Sequence, residues 1–117
     1  ATSNLVERYD LATKAWEEVA PMAVERFAPA VAVLDGKVYA AGGFNDDDGD
    51  LSSVERYDPR ENAWEAVALM GSARQTHAVA VLDGKVYAVG GYNDDDGHLS
   101  SVERYDPAVD VWEAVAP

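Results

Sequence analysis

The chain contains no cysteine. That excludes a disulfide scaffold, a thiolate metal site and a cysteine nucleophile. Basic residues are few: 9 Lys and Arg stand against 22 Asp and Glu, for a formal charge of −13 at pH 7. So acidic a chain has no basic face to displace counterions from phosphates, and a nucleic-acid partner is excluded. No apolar run reaches the ~18 residues of a membrane-spanning helix, and there is no basic-then-apolar leader. A membrane partner is therefore not expected, and cytoplasmic residence is. No segment keeps a 3.6-residue period for long, so little or no helix is expected. What the chain does have is 48% hydrophobic residues over 117 positions, enough for one small folded domain with a limited core.

Self-similarity decides the fold. Tyr9, Tyr57 and Tyr105 lie 48 apart, as do Trp16, Trp64 and Trp112. Residues 22–69 and 70–117 are identical at 34 of 48 positions. Repetition at a fixed period of this size marks a solenoid, propeller or array. Residues 1–21 match only the second half of a unit, giving a half unit followed by two complete ones.

One unit divides into four short strands. Ala30 to Leu34 is rich in β-branched residues, and Lys37 to Ala41 follows across Asp35-Gly36. Two apolar runs joined by Asp-Gly predict a hairpin, because both central residues of a type I′ turn need positive φ. Beyond Gly42-Gly43, the polar stretch Asn45 to Asp50 predicts a loop. Ser53 to Tyr57 alternates until Asp58-Pro59 breaks it, and Ala63 to Val67 alternates again. The unit is expected to be a four-stranded antiparallel meander. The 14 differences between the two full units concentrate at 23–29 and 60–63 and their counterparts, which are connections.

The Gly-Gly pair after the second strand, Val-Glu-Arg-Tyr-Asp-Pro, the Trp seven residues past Tyr, and the Pro-Met followed by Arg together resemble the kelch repeat. The likeness covers nearly the whole chain, and the nearest flavour is the propeller domain of kelch-like substrate receptors of ubiquitin ligases. It implies an all-β fold of kelch-type β-propeller blades: a half blade at 1–21 and complete blades at 22–69 and 70–117. A ring of six blades needs roughly twice this chain, so a partial propeller is expected, closing by oligomerisation or by further blades. Three copies would supply six full blades, which favours a trimer. The resemblance further implies that Trp16, Trp64, Trp112, Tyr39 and Tyr87 fill seams between blades, and that Arg56 and Arg104 form internal ion pairs.

The connection pattern of a meander places the Asn-Asp-Asp-Asp-Gly loops at one end with the loops carrying Arg26 and Arg74. In kelch-like receptors that end grips peptides. The candidate partner-binding residues are accordingly Arg26, Arg74, Asp46, Asp47, Asp48, Asp94, Asp95, Asp96 and His77. Acids dominate this rim, so the expected partner is a basic protein or peptide; the alternative is that the Asp runs only solubilise the turns. An EF-hand-like reading fails because Phe44 and Tyr92 occupy the first ligand position. No cofactor or metal is expected, and no catalytic set: the acidic pairs lie in surface loops where nothing raises a pKa, and the histidines are His77 and His98 alone. Two functions remain: a non-catalytic protein-interaction module with an acidic loop face, or an engineered or excised repeat whose main property is self-assembly into a closed ring.

Overall fold

The computed structural model describes residues 4–116. Residues 1–3 of the expected half blade and Pro117 of the last blade lie outside the described residues. All regular structure among the described residues is β. The strands β1 (Val6–Asp10) and β2 (Ala15–Val19) form a hairpin. The first complete sheet comprises β3 (Ala30–Leu34), β4 (Lys37–Ala41), β7 (Val54–Asp58) and β8 (Ala63–Val67), in that spatial order and fully antiparallel. The second repeats it with β9 (Ala78–Leu82), β10 (Lys85–Val89), β13 (Val102–Asp106) and β14 (Val111–Val115). These are two propeller blades and the outer half of a third, and they do not close into a ring.

The Asp-Gly turns behave as their chemistry requires. Asp35 and Gly36 have φ of 52° and 75°, and Asp83 and Gly84 repeat both values, the pair of positive angles of a type I′ turn. The Asn45 to Asp50 segment departs from the loop expectation. It folds as a small ribbon, β5 (Phe44–Asn45) against β6 (Gly49–Asp50), repeated as β11 (Tyr92–Asn93) against β12 (Gly97–His98). Two-residue strands carry no alternation that a sequence pattern could register. The ribbon forms because Gly49, at φ 71°, closes a three-residue turn. In that turn Asn45 Oδ1 also accepts the Asp48 N–H at 2.7 Å, an Asx-type bond.

The core lies in the seam between the two full blades. Leu34, Tyr39, Ala41 and Val54 of one meet Met70, Val86, Ala88 and Tyr105 of the next, all buried. Tyr39 and Tyr105 pack at 5.8 Å between ring centroids. Gly42 and Gly43 lie where the following unit crosses. A Cβ on Gly42 would come within 2.4 Å of the Arg74 carbonyl, and one on Gly43 within 2.6 Å of the Phe27 carbonyl; the Gly43 N–H donates to that same Arg74 carbonyl. This is backbone crowding, not a phosphate cradle.

Gly42→Ala combines a positive φ of 69° with a clash against backbone, whereas Gly36→Ala at φ 75° meets nothing within 4 Å. Gly36→Ala should cost about 1–2 kcal/mol from the left-handed conformation alone, and Gly42→Ala clearly more. Urea midpoints of the two variants check this, and equal losses would count against it.

Candidate interaction surface

Between β2 and β3, and again between β8 and β9, the chain folds an arginine inward. Arg26 is 4% exposed and Arg74 0%. Arg26 Nη1 donates to the carbonyls of Gly42 and Ser53, each at 2.9 Å, and Nη2 pairs with Glu55 Oε2 at 3.0 Å. Glu55 is buried and also accepts the backbone N–H groups of Ala23 and Val24. The second blade repeats the arrangement: Arg74 reaches Gly90 O, Ser101 O and Glu103, while Glu103 accepts from Gly71 and Ser72. Burial draws the Arg26 guanidinium below its ordinary value against the hold of Glu55. The expectation that Arg26 and Arg74 contact a partner is therefore corrected. Both side chains are spent on carbonyls and a buried carboxylate, and neither offers surface.

The internal ion pairs are thus made by Arg26 and Arg74. Arg56 and Arg104 instead lie across from Glu65 and Glu113 in the β7–β8 and β13–β14 registers, and pair with them near solvent. Each also reaches the hydroxyl of Tyr39 or Tyr87. Glu55 and Glu103 could have been found from alternation, which puts each on the face of the tyrosine two residues on.

The ribbons and the arginine loops do share one end. Phe27 bridges Phe44, Gln75 bridges Tyr92, and the Asn45 amide donates to Glu25 O as Asn93 donates to Ala73 O. At this end Asp46, Asp47, Asp48, Asp94, Asp95 and Asp96 are all exposed. Asp50 is otherwise engaged: it accepts from Gln75 Nε2 at 2.8 Å and from the Asp94 N–H at 2.7 Å, tying one ribbon to the next unit. His98, its counterpart, is exposed and packs edge-on against Tyr92. His77 does not stand on the rim. It is half-buried between Gly42 and Gly91, and neither ring nitrogen has a partner. Burial, then the neighbouring Arg74 charge, lowers its pKa to about 4. Among the described residues, no three imidazole or carboxylate side chains converge as a metal site requires.

The seam tryptophans also hold the array together. The indole N–H of Trp64 donates to Ala20 O, and that of Trp112 to Ala68 O, each reaching the preceding unit. The Kelch motif matches residues 25–71 and 73–117. The chain belongs to the kelch family. Among curated relatives, Kelch-like protein terF of Aspergillus terreus is 46% identical over 43 residues, 37% of this chain and 9% of that protein. Putative protein tag-53 of Caenorhabditis elegans is 47% identical over 45 residues, covering 37% of this chain and 3% of its own length. Human Kelch-like protein 5 is 46% identical over 43 residues, again 37% of this chain and 6% of the relative. The chain thus spans under a tenth of each. The solved structure of YjhT superposes with a TM-score of 0.79 over 98% of this chain and 51% of its own, at 16% identity, a likeness of fold. Kelch repeats indicate a protein–protein interaction module.

Two outcomes follow from the buried groups. Arg74→Leu strands the Glu103 charge and should cost about 3–5 kcal/mol. Arg104→Leu removes a solvent-exposed pair and should cost at most ~1 kcal/mol. Chemical denaturation of both variants separates the cases. For His77, the folded pKa of about 4 lies below the ordinary 6.5. As pH falls through that window the unfolded chain takes up a proton that the folded chain refuses, so stability present above pH 6.5 declines toward pH 4. The melting temperature of His77→Leu should fall less steeply over that range than that of the parent.

Proposed function

We propose that the chain is a non-catalytic kelch interaction module whose ribbon end takes a basic protein or peptide segment. The observation that carries this reading is the row of exposed aspartates on the tips of β5–β6 and β11–β12. With Arg26 and Arg74 internally neutralised by Glu55 and Glu103, the tips keep their negative charge uncompensated by the arginines beneath them. Adjacent tips of one sign concentrate potential where they project into solvent. The ribbons are also well supported: Asn45 and Asn93 are buried at their bases, and the Asp50 bridge fixes one relative to the next. A fixed, repeated set of carboxylates suits a segment with regularly spaced lysines or arginines. The likeness to kelch-like substrate receptors, whose peptide-gripping end is the corresponding one, supports the same end of the molecule.

An array of peptides graded in net charge tests this. Retention should rise with positive charge and weaken several-fold as salt passes ~150 mM, where the Debye length is about 8 Å. Changing Asp46, Asp47, Asp94 and Asp95 to Ser should abolish it with little change in stability, since these side chains are exposed. Charge-blind retention, or retention unchanged in the Ser variant, would sink the reading.

A further inference from the structure

Between the buried Arg74 and the first residue of β9 the chain runs as a short strap, Gln75-Thr76-His77, whose three residues all differ from their counterparts Phe27, Ala28 and Pro29. One end is well anchored. The Gln75 N–H donates to Tyr92 O at 2.9 Å, Gln75 O accepts the Tyr92 N–H at 3.0 Å, and Gln75 Nε2 donates to Asp50 Oδ1 at 2.8 Å. The strap is thereby bound to both ribbons. The middle is strained. Thr76 has φ of 50°, a genuine outlier for a β-branched residue. Its N–H reaches Ala28 O at 3.4 Å, beyond the ordinary range of a backbone bond.

His77 closes the other end. Its imidazole reaches across the seam between the two full blades: a Cβ on Gly42 would come within 2.9 Å of its Cε1, and one on Gly91 within 2.7 Å of its Cβ. Both ring nitrogens are enclosed, and among the described residues neither has a hydrogen-bond partner. A buried polar group left unmatched is costly and calls for an explanation. The charges around the strap do not relieve it. Arg74, on the same connection, places positive charge near the ring and is itself held by Glu103. Across the seam, Gly42 O holds Arg26, which pairs with Glu55. Asp50 is engaged by Gln75 and the Asp94 N–H, and His98 lies against Tyr92. A proton on His77 would leave the ring with two donors and no acceptor, beside a permanent cation.

We propose that residues 75–77 are an acid-released strap: protonation of His77 expels its ring from the seam, and the strap lifts from Tyr92 and Asp50 while both blades stay folded. A local opening of this kind breaks few bonds. The strap gives up its two bridge bonds and the Gln75 tie. In return the ring gains water on both nitrogens, and Thr76 leaves the left-handed region. One consequence rests on the reading of the ribbon end as a site for basic segments. Opening leaves the two tips joined through Asp50 by the Asp94 N–H alone, so their spacing loosens in acid and such a segment loses its fixed pair of tips.

The test is amide hydrogen exchange by NMR on the full chain, from neutral pH down to about 4, with each rate divided by its intrinsic value. The open strap takes up a proton that the closed one refuses. The Gln75 and Tyr92 amides should therefore lose roughly a hundredfold of protection, the ratio set by a pKa of about 4 when closed and 6.5 when open. The Phe27 and Phe44 amides form the same bridge beside Pro29. They should change by no more than a few-fold, since their opening uncovers no histidine. His77→Pro, which restores the residue of the preceding blade, should abolish the fall. The double variant Asp50→Asn/His98→Asn, which removes the neighbouring titrating groups, should keep it. A fall shared equally by Phe27 and Phe44 would assign the effect to global unfolding and overturn the proposal. So would flat protection at Gln75 and Tyr92, or a fall that survives His77→Pro. Where that variant folds poorly, loss of the effect in Asp50→Asn/His98→Asn decides against the proposal by itself. These readouts involve no ligand, so a ribbon end that retains no basic peptide would end that reading and leave the strap standing.

Discussion

The repeat depends on a guanidinium that never reaches solvent. Arg26 and its copy Arg74 hold the connection entering a blade against three separate places: the end of the second strand through Gly42 or Gly90, the start of the third through Ser53 or Ser101, and the third strand itself through Glu55 or Glu103. A planar fork with several donors can do this where a lysine's point charge cannot. The buried pair earns little net stability on electrostatics alone, since desolvating both charges is costly. Its value is geometric. It fixes where the connection crosses the glycines, and that fixes where the ribbon stands.

The carboxylate side of the pair is equally constrained. Glu55 and Glu103 each accept two backbone N–H groups as well as the arginine. Replacing both charges by apolar residues would therefore take the acceptor from two part-buried N–H groups in each blade. An Arg–Glu pair that also caps backbone cannot be exchanged for two leucines in the way a simple buried pair sometimes can. The identity of Arg, Val-Glu-Arg-Tyr-Asp and Gly-Gly in both full units is the trace of that requirement.

Much of this architecture was legible in the sequence because it rests on local chemistry. Asp35-Gly36 states its turn, and the 48-residue period states the repetition. The four alternating segments state the strands. Arg26 was not legible in the same way. Its neighbours Glu25 and Phe27 are exposed, and only the return of residues 42, 53 and 55 from later in the chain makes its site a buried one. Asn62, Asp110 and Asp50 were missed for the same reason, since each acts on a unit other than its own. His77 occupies the position that Pro29 holds in the preceding blade, so the repeat itself gave no hint that an imidazole would be enclosed there without a partner.

Contacts between units account for the places where the repeat is not uniform. Asp50 bridges to Gln75 and the Asp94 N–H of the next unit, and its counterpart His98 turns to Tyr92 instead. Asn62 and Asp110 accept an amide from the unit before, and their counterpart Lys14 accepts nothing. Both departures fall at positions whose counterparts couple neighbouring units. The apolar packing of the seam is adhesive without being selective, and the polar bonds supply the register. The register between neighbouring units, and with it the placing of the ribbon end, therefore rests on a few side-chain acceptors: Asn62, Asp110 and Asp50.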